Sequence, residues 1–202
     1  MDWVGERANL DFFSGLLISR TGFRKSMAKT DSFFIRVALP LNASGTGAGE
    51  FNQVPIDLGA YVDALGKSVL RIHNIAVQYS DSNGGTPDVA ATSPASVDWQ
   101  LTTQSQTAIV VVGDNKSVVA SARLIAYNQD ATGGVPSYVS DNFDVAPQHW
   151  TQGYLIGVES MYLSGATTTT GWSQDMAVSL IMECTSETLT QAAAMALALS
   201  QQ

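Results

Sequence analysis

The sequence predicts an all-β domain, an eight-stranded antiparallel β-sandwich, and three observations carry this prediction. Residues 33–41 alternate strictly, with Phe33, Ile35, Val37, Leu39 and Leu41 on one face, and period-two alternation is typical of a strand with one buried face. About eight such short apolar runs lie between Asp31 and Cys184, separated by loops rich in Gly, Ser, Thr and Asn, which is the spacing of a sandwich or barrel. No internal repeat or long linker divides the 202 residues. We therefore expect an N-terminal arm over 1–30, a sandwich over 31–185 and a C-terminal helix over 186–202.

The first half of the sandwich contains three predicted strands. The strand over 33–41 leads into a glycine-rich loop, and a short strand over 51–56 contains Pro55, which suits an edge or a bulge. Asp57 is a potential N-cap for a helix over 58–65 that Gly66 would end. A long strand over 69–79 follows. One side of it is expected to carry Val69, Arg71, His73, Ile75, Val77 and Tyr79.

The second half contains five predicted strands and a helix. Strands are expected over 97–103, 107–112 and 117–127, with a helix as the alternative for 117–127. Trp99 is expected to face the core between Val97 and Leu101. After a loop over 128–148, strands over 152–163 and 174–184 flank a Gly- and Thr-rich tip. Ser186 is expected to cap a last helix that reaches about residue 200.

The charge content favours a protein that assembles. Only 14% of the residues are charged, against about a quarter in ordinary soluble domains, and charged residues are depleted at the cores of protein interfaces. Residues 1–36 hold six basic and four acidic side chains, whereas the remainder holds four basic and fourteen acidic ones. This asymmetry predicts a basic arm on an acidic body. The single Cys184 excludes an internal disulfide and fits assembly in a reducing compartment.

The sequence contains no motif that predicts catalysis, a metal or a cofactor. Gly66-Lys67-Ser68 resembles the end of a phosphate-binding loop, but Tyr61 stands where that loop needs a glycine. The two histidines, His73 and His149, lack metal-ligand spacing. There is no Gly-x-Ser-x-Gly turn for a serine nucleophile. We expect no enzyme activity, no metal site and no cofactor.

The two ends of the chain carry the candidate binding residues. Arg20, Arg24, Lys25 and Lys29 are candidates for contact with nucleic-acid phosphate, although a solvated connector is an equal alternative. The terminal helix is apolar nearly all round, which requires burial, whereas a chain terminus is ordinarily exposed. A neighbouring subunit would resolve this conflict, and packing on the chain's own sandwich is the alternative. The candidate subunit-interface residues are Phe12, Phe13, Leu16, Leu17, Leu189, Met195, Leu197 and Leu199.

With its eight strands, long end loops, short basic arm and charge-poor surface, the chain resembles a single jelly-roll capsid protein of an icosahedral virus over about Asp31 to Cys184. The resemblance implies two four-stranded sheets, self-assembly into a large symmetric shell, and location in a virion made in the host cytoplasm. Further capsid proteins are implied as partners, with packaged nucleic acid or an internal membrane reached through the arm. The arm lacks the arginine-rich stretch of RNA-packaging coat proteins, which puts direct genome binding in doubt. The competing hypothesis is a carbohydrate-binding β-sandwich module with an exposed platform of Trp150 and Trp172.

Overall fold

The computed structural model describes residues 31–63, 67–129, 137–140 and 143–202. Within these ranges the chain forms ten strands and one α-helix. The strands are β1 Phe33–Leu41, β2 Asn52–Asp57, β3 Ser68–Asp81, β4 Pro94–Thr102, β5 Val118–Tyr127, β6 Ser137–Ser140, β7 Phe143–Val145, β8 Tyr154–Ile156, β9 Ser160–Thr167 and β10 Met176–Thr188, and the helix is α1 Gln191–Ser200.

The strands form two antiparallel sheets. The smaller sheet has the order β1-β10-β3-β8, and the larger has the order β2-β9-β4-β5-β6, with β7 also paired to β5. Buried apolar side chains from both sheets form one continuous core. The prediction of an all-β sandwich followed by a C-terminal helix is confirmed, whereas the described residues form ten strands instead of the predicted eight.

Four strand pairs are nested along the chain. The pair β4–β5 lies innermost, and β3–β8, β2–β9 and β1–β10 follow in turn. The chain therefore pairs like one long hairpin. The two halves of this hairpin pass together from one sheet to the other between successive strand pairs. Strands β6 and β7 form an insertion between β5 and β8.

Trp99 lies at the centre of the core, as predicted. Its side chain is fully buried, and its indole N–H donates to the Tyr79 hydroxyl at 2.9 Å. This hydrogen bond matters because a buried indole donor without an acceptor would be destabilising. Cys184 is also buried, and burial, with a smaller effect from Glu183, raises the pKa of its thiol to about 12.

The single strand predicted over 152–163 is wrong. The chain forms β8 in the smaller sheet and β9 in the larger one, joined by residues 157–159. The crossing brings Gly157 against the terminal helix, where an added Cβ would lie 3.0 Å from Leu197 Cγ. Apolar alternation continues across the crossing, because it reports a buried face and not the sheet to which that face belongs.

The prediction that the odd-numbered residues 69–79 share one side of β3 is also wrong at its start. Opposite β10, Ile72 pairs with Cys184 and Asn74 with Glu183, so His73 is an extra residue in a β-bulge. The bulge exchanges the two faces of the strand. Leu70 and Ile72, which precede the bulge, face the core, and so does Ile75, which follows it. Arg71 therefore lies on the side opposite the core, where it pairs with Glu187.

Three further boundaries differ from the sequence predictions. Residues 107–112 form a loop instead of a strand. After Asp57 the described residues show one turn, closed by Val62 N–H donating to the Leu58 carbonyl at 2.9 Å, and 64–66 lie outside the described residues. Because β10 continues to Thr188, the helix is capped by Thr190 and not by Ser186.

Candidate interaction surfaces

The terminal helix packs on the chain's own sandwich through one face. Ala194 and Ala198 are buried and Leu197 is half-buried against Gly157. Beyond the helix, the side-chain amide of Gln201 accepts from Gly157 N–H at 2.9 Å and donates to the Leu155 carbonyl at 2.7 Å. These two bonds attach the helix to the end of β8 in the way that a further strand would.

The opposite side of α1 is apolar and exposed. Successive residues turn by about 100° around a helix, which places Ala194, Leu197 and Ala198 on one side. Ala192, Met195, Ala196 and Leu199 lie on the other side, and we call these four residues the helix face. All four are exposed, and Leu199 retains 67% of its surface. Packing within the chain thus buries one side of a helix that is apolar nearly all round and leaves the other side exposed.

The candidate interface residues divide accordingly. Met195 and Leu199 belong to the helix face, Leu197 contacts its own chain, and the half-buried Leu189 donates its N–H to the Lys67 carbonyl at 2.8 Å. The N-terminal candidates Phe12, Phe13, Leu16, Leu17, Arg20, Arg24, Lys25 and Lys29 lie outside the described residues.

A second apolar surface lies in the loop between β4 and β5. We call residues 109–111 the loop edge. The Val111 side chain is 69% exposed and that of Ile109 is 37% exposed. Three consecutive β-branched residues favour an extended chain, which explains why the sequence predicted a strand there.

One buried glutamine holds the loop edge in place. Gln100 Nε2 donates to the Val110 carbonyl at 2.7 Å, and Val110 N–H donates to Gln100 Oε1 at 2.9 Å. Gln100 is 2% exposed and points outward from β4. Its amide therefore pairs with Val110 as a neighbouring strand would, and the segment lies over the outer face of β4 and β5, near Ser121 and Arg123.

A third surface is a cleft beside Trp150. A cavity of about 550 Å³ lies between the 112–116 turn and the turn before β8, and Lys116, Val119, Trp150 and Tyr154 are among its lining residues. Trp150 is 54% exposed. Gly153 closes the turn with φ +64°, where an added Cβ would lie 2.4 Å from the Ile72 carbonyl oxygen, so another residue would displace the chain.

The platform of Trp150 and Trp172 that the competing hypothesis requires is not present. Trp172 is 4% exposed, and its indole N–H donates to the Ser96 carbonyl at 3.0 Å. It closes the end of the core beside β4. Of the tryptophans within the described residues, only Trp150 is exposed enough for stacking.

Two arginines of the described residues, Arg71 and Arg123, form ion pairs between elements. Arg71 on β3 makes two contacts with the Glu187 carboxylate, and this hydrogen bonding lowers the pKa of Glu187. Arg123 lies 3.6 Å from Asp98 and 3.5 Å from Asp144, largely in solvent. Among the described residues, no group of three or more His, Cys, Asp or Glu side chains is placed to hold a metal ion.

Comparisons with known proteins find neither a family model nor a curated protein that matches this chain. Among the described residues there is no helix with the length and apolar character needed to cross a membrane. The three surfaces defined above are therefore the basis for the functional argument.

Proposed function

We propose that this chain is a jelly-roll protein that self-assembles into the shell of an icosahedral virus. The observation that carries the proposal is the nested order of strand pairs, β1–β10, β2–β9, β3–β8 and β4–β5, divided between two sheets. A jelly roll consists of eight strands in two sheets, and viral capsid domains are one of the groups built on it. The four-stranded sheet and the first four strands of the larger sheet agree with that plan.

The exposed surface supports assembly over a monomeric role. Single exposed apolar side chains are common in monomers. The helix face instead contains two large apolar side chains, Met195 and Leu199, and two alanines, all on one side of a helix whose other side packs on the sandwich. The low charge content extends this argument to the rest of the surface, because few charges would have to lose water when copies associate. The helix face is our candidate contact between copies.

The remaining roles in the proposal come from the sequence. Residues 1–30 would serve as the arm that contacts packaged nucleic acid, an internal membrane or another subunit, and further capsid proteins remain candidate partners in the virion. The proposal assigns no catalytic step and no cofactor.

The proposal is tested by purifying the full chain and measuring its size. Negative-stain microscopy should show closed particles of uniform diameter, and light scattering should give a mass many times the 21.4 kDa of the chain. A monomer at micromolar concentration across a range of salt and pH would refute the proposal. Open sheets or irregular aggregates would contradict the closed shell.

A carbohydrate-binding module is the second candidate, and the cleft beside Trp150 is the observation that favours it. An exposed indole next to Asp114, Asn115 and Lys116 combines a stacking surface with hydrogen-bonding groups, and lectins also use the jelly-roll plan. A glycan array with the wild-type chain and the Trp150→Ala variant tests this function. Binding that the substitution abolishes, together with a monomeric state, would favour the module over the shell.

A further inference from the structure

We infer that the loop edge is a self-pairing strand, through which two copies of this chain join antiparallel about a twofold axis at Ile109. The inference deepens the proposed function by assigning a specific contact between copies. It has its own readout, because a dimer formed in this way does not require a closed shell.

The backbone of the loop edge is the first argument. Both the N–H and the C=O of Val110 point to the Gln100 amide, an arrangement that belongs to an extended residue in a β-ladder. In an extended chain the backbone groups of the adjacent residues point to the opposite side. Ile109 therefore directs its N–H and C=O away from Gln100, and neither group has a hydrogen-bond partner among the described residues.

The hydrogen bonds of Val111 set the register. Its carbonyl already accepts from Asp114 N–H at 3.1 Å and from Asn115 N–H at 3.2 Å, so a second strand has little access to it. Ile109 keeps both backbone groups available. An antiparallel pairing centred on Ile109 lets two copies exchange two N–H···O=C bonds.

The side chains make this edge unusual for a soluble protein. Native proteins ordinarily protect open edges with charges, prolines or covering loops. No charged residue and no proline occurs between Asp98 and Asp114, and Val111 is 69% exposed. An apolar, uncharged edge of this kind is expected to acquire a partner strand.

Charge and symmetry identify a second copy as that partner. The chain has a net charge of −8, so close approach of two copies is unfavourable at most of their surface but not along an uncharged segment. Pairing about Ile109 places β-branched side chains opposite one another, and such pairs are favourable across strands. The chain turns after Val111, so Asp114 lies outside the paired residues and the paired segment carries no charge.

Disulfide trapping tests the inference directly. Residues opposite each other in a hydrogen-bonded antiparallel pair have Cα atoms about 5.5 Å apart, a separation that a disulfide spans. Under mild oxidation, Ile109→Cys should give a disulfide-linked dimer in high yield at micromolar concentration. The buried Cys184, with its high thiol pKa, can stay in place. Ser82→Cys, at an exposed loop position, is the matched control for random collision.

A second variant measures the contact without a cross-link. Val111→Asp should raise the dissociation constant at least tenfold in sedimentation velocity, because in this register the new carboxylate lies opposite Thr107 of the other copy and would lose water on pairing. Since the side chain is largely exposed, the circular dichroism spectrum should not change. Equal cross-linking of Ile109→Cys and Ser82→Cys, or an unchanged oligomeric state for Val111→Asp, would overturn the inference.

The two proposals fail separately. Closed particles without an Ile109 cross-link would leave the shell and remove this contact. A cross-linked dimer without particles would leave the contact and remove the shell. Occupation of the edge by a different strand, from the arm or from another protein, would also appear as a missing cross-link and would count against self-pairing.

Discussion

Replacing Leu199 with serine should weaken assembly while leaving the folded subunit nearly as stable as the wild type. Leu199 belongs to the helix face, and Leu197, two residues earlier, packs against Gly157 of the same chain. The pair therefore offers a matched comparison within one helix. Serine is preferable to aspartate because a negative charge at the C-terminal end of a helix is unfavourable in itself.

The magnitude follows from the exposure of the two side chains. Full burial of a leucine contributes about 1.5–3 kcal/mol. Leu199 is 67% exposed, so about a third of that term, roughly 0.5–1 kcal/mol, acts in the isolated subunit. The remaining 1–2 kcal/mol or so becomes available on association, which is about a 5- to 30-fold change in the equilibrium constant for each contact.

Two measurements separate the effects. Urea unfolding of the dissociated subunit gives the free energy of unfolding, and light scattering over a concentration series gives the concentration at which assembly begins. Leu199→Ser should raise that concentration about 5- to 30-fold. Leu197→Ser should mainly lower the stability of the docked helix.

One result would refute this reasoning. If Leu199→Ser lowers the free energy of unfolding as much as Leu197→Ser does, and assembly begins at the wild-type concentration, the helix face is covered by the chain itself. The contact between copies would then have to lie elsewhere.

Three further predictions concern the fold that supports these surfaces. Gln201→Met removes two hydrogen bonds and leaves the buried Gly157 N–H without an acceptor. The free energy that docks the helix on the sandwich should fall by about 1–3 kcal/mol, which would be measured as faster amide hydrogen exchange in α1. Unchanged exchange would show that apolar packing alone holds the helix. Cys184 should react with a thiol reagent at pH 8 only when the chain unfolds, because burial raises its pKa to about 12, and rapid labelling of the folded chain would contradict its burial. Hydrogen bonds from the N–H groups of Ser44 and Ala43 lower the pKa of Asp175. The stability that these bonds contribute should be complete above about pH 4 and should be lost as the pH falls through the lower pKa of the folded state. In acid denaturation curves, Asp175→Asn should reduce the dependence of stability on pH, and a slope like that of the wild type would mean that other carboxylates cause this dependence.

The parts of the fold that the sequence predicts correctly depend on local alternation. β1 was predicted residue for residue, and Trp99 was placed in the core because Val97 and Leu101 flank it at period two. Both cases need only the distinction between a buried and an exposed face.

The errors arise where tertiary partners decide the outcome. The bulge at His73 and the crossing at Gly157 each change the face or sheet of a strand while apolar residues continue on both sides. The run at 109–111 has strong β propensity, but its partner within the described chain is one side-chain amide instead of a strand. Propensity fixes the extended conformation and leaves the pairing open.

The terminal helix illustrates the same limit at a candidate site. Its apolar circumference predicted burial, and the structure buries one side of the helix, but periodicity could not tell which side meets the chain's own sandwich. The position of Gln201 supplies that information, since its amide attaches the helix to Leu155 and Gly157 and so turns Leu197 inward and Leu199 outward. A polar residue just after the apolar run was the only sequence signal of this docking.

Three glutamine side chains connect irregular segments to strands, and comparing them shows how the loop edge differs from the other two segments. Gln100 pairs with both backbone groups of Val110, Gln148 with both groups of Ile75, and Gln201 with Gly157 and Leu155. A neutral side-chain amide presents an N–H donor and a C=O acceptor side by side, as one residue of an extended strand does, and can therefore pair with a strand residue without adding charge. In a chain with so few charged residues, such amides protect exposed backbone where lysine or glutamate would usually do so. Gln148 and Gln201 cover backbone along the β8 side of the small sheet, whereas Gln100 holds Val110 and turns Ile109 toward solvent. A glutamine amide thus covers backbone groups at Gln148 and Gln201 but leaves the backbone of Ile109 exposed at Gln100. This arrangement is expected if Ile109 pairs with another copy of the chain.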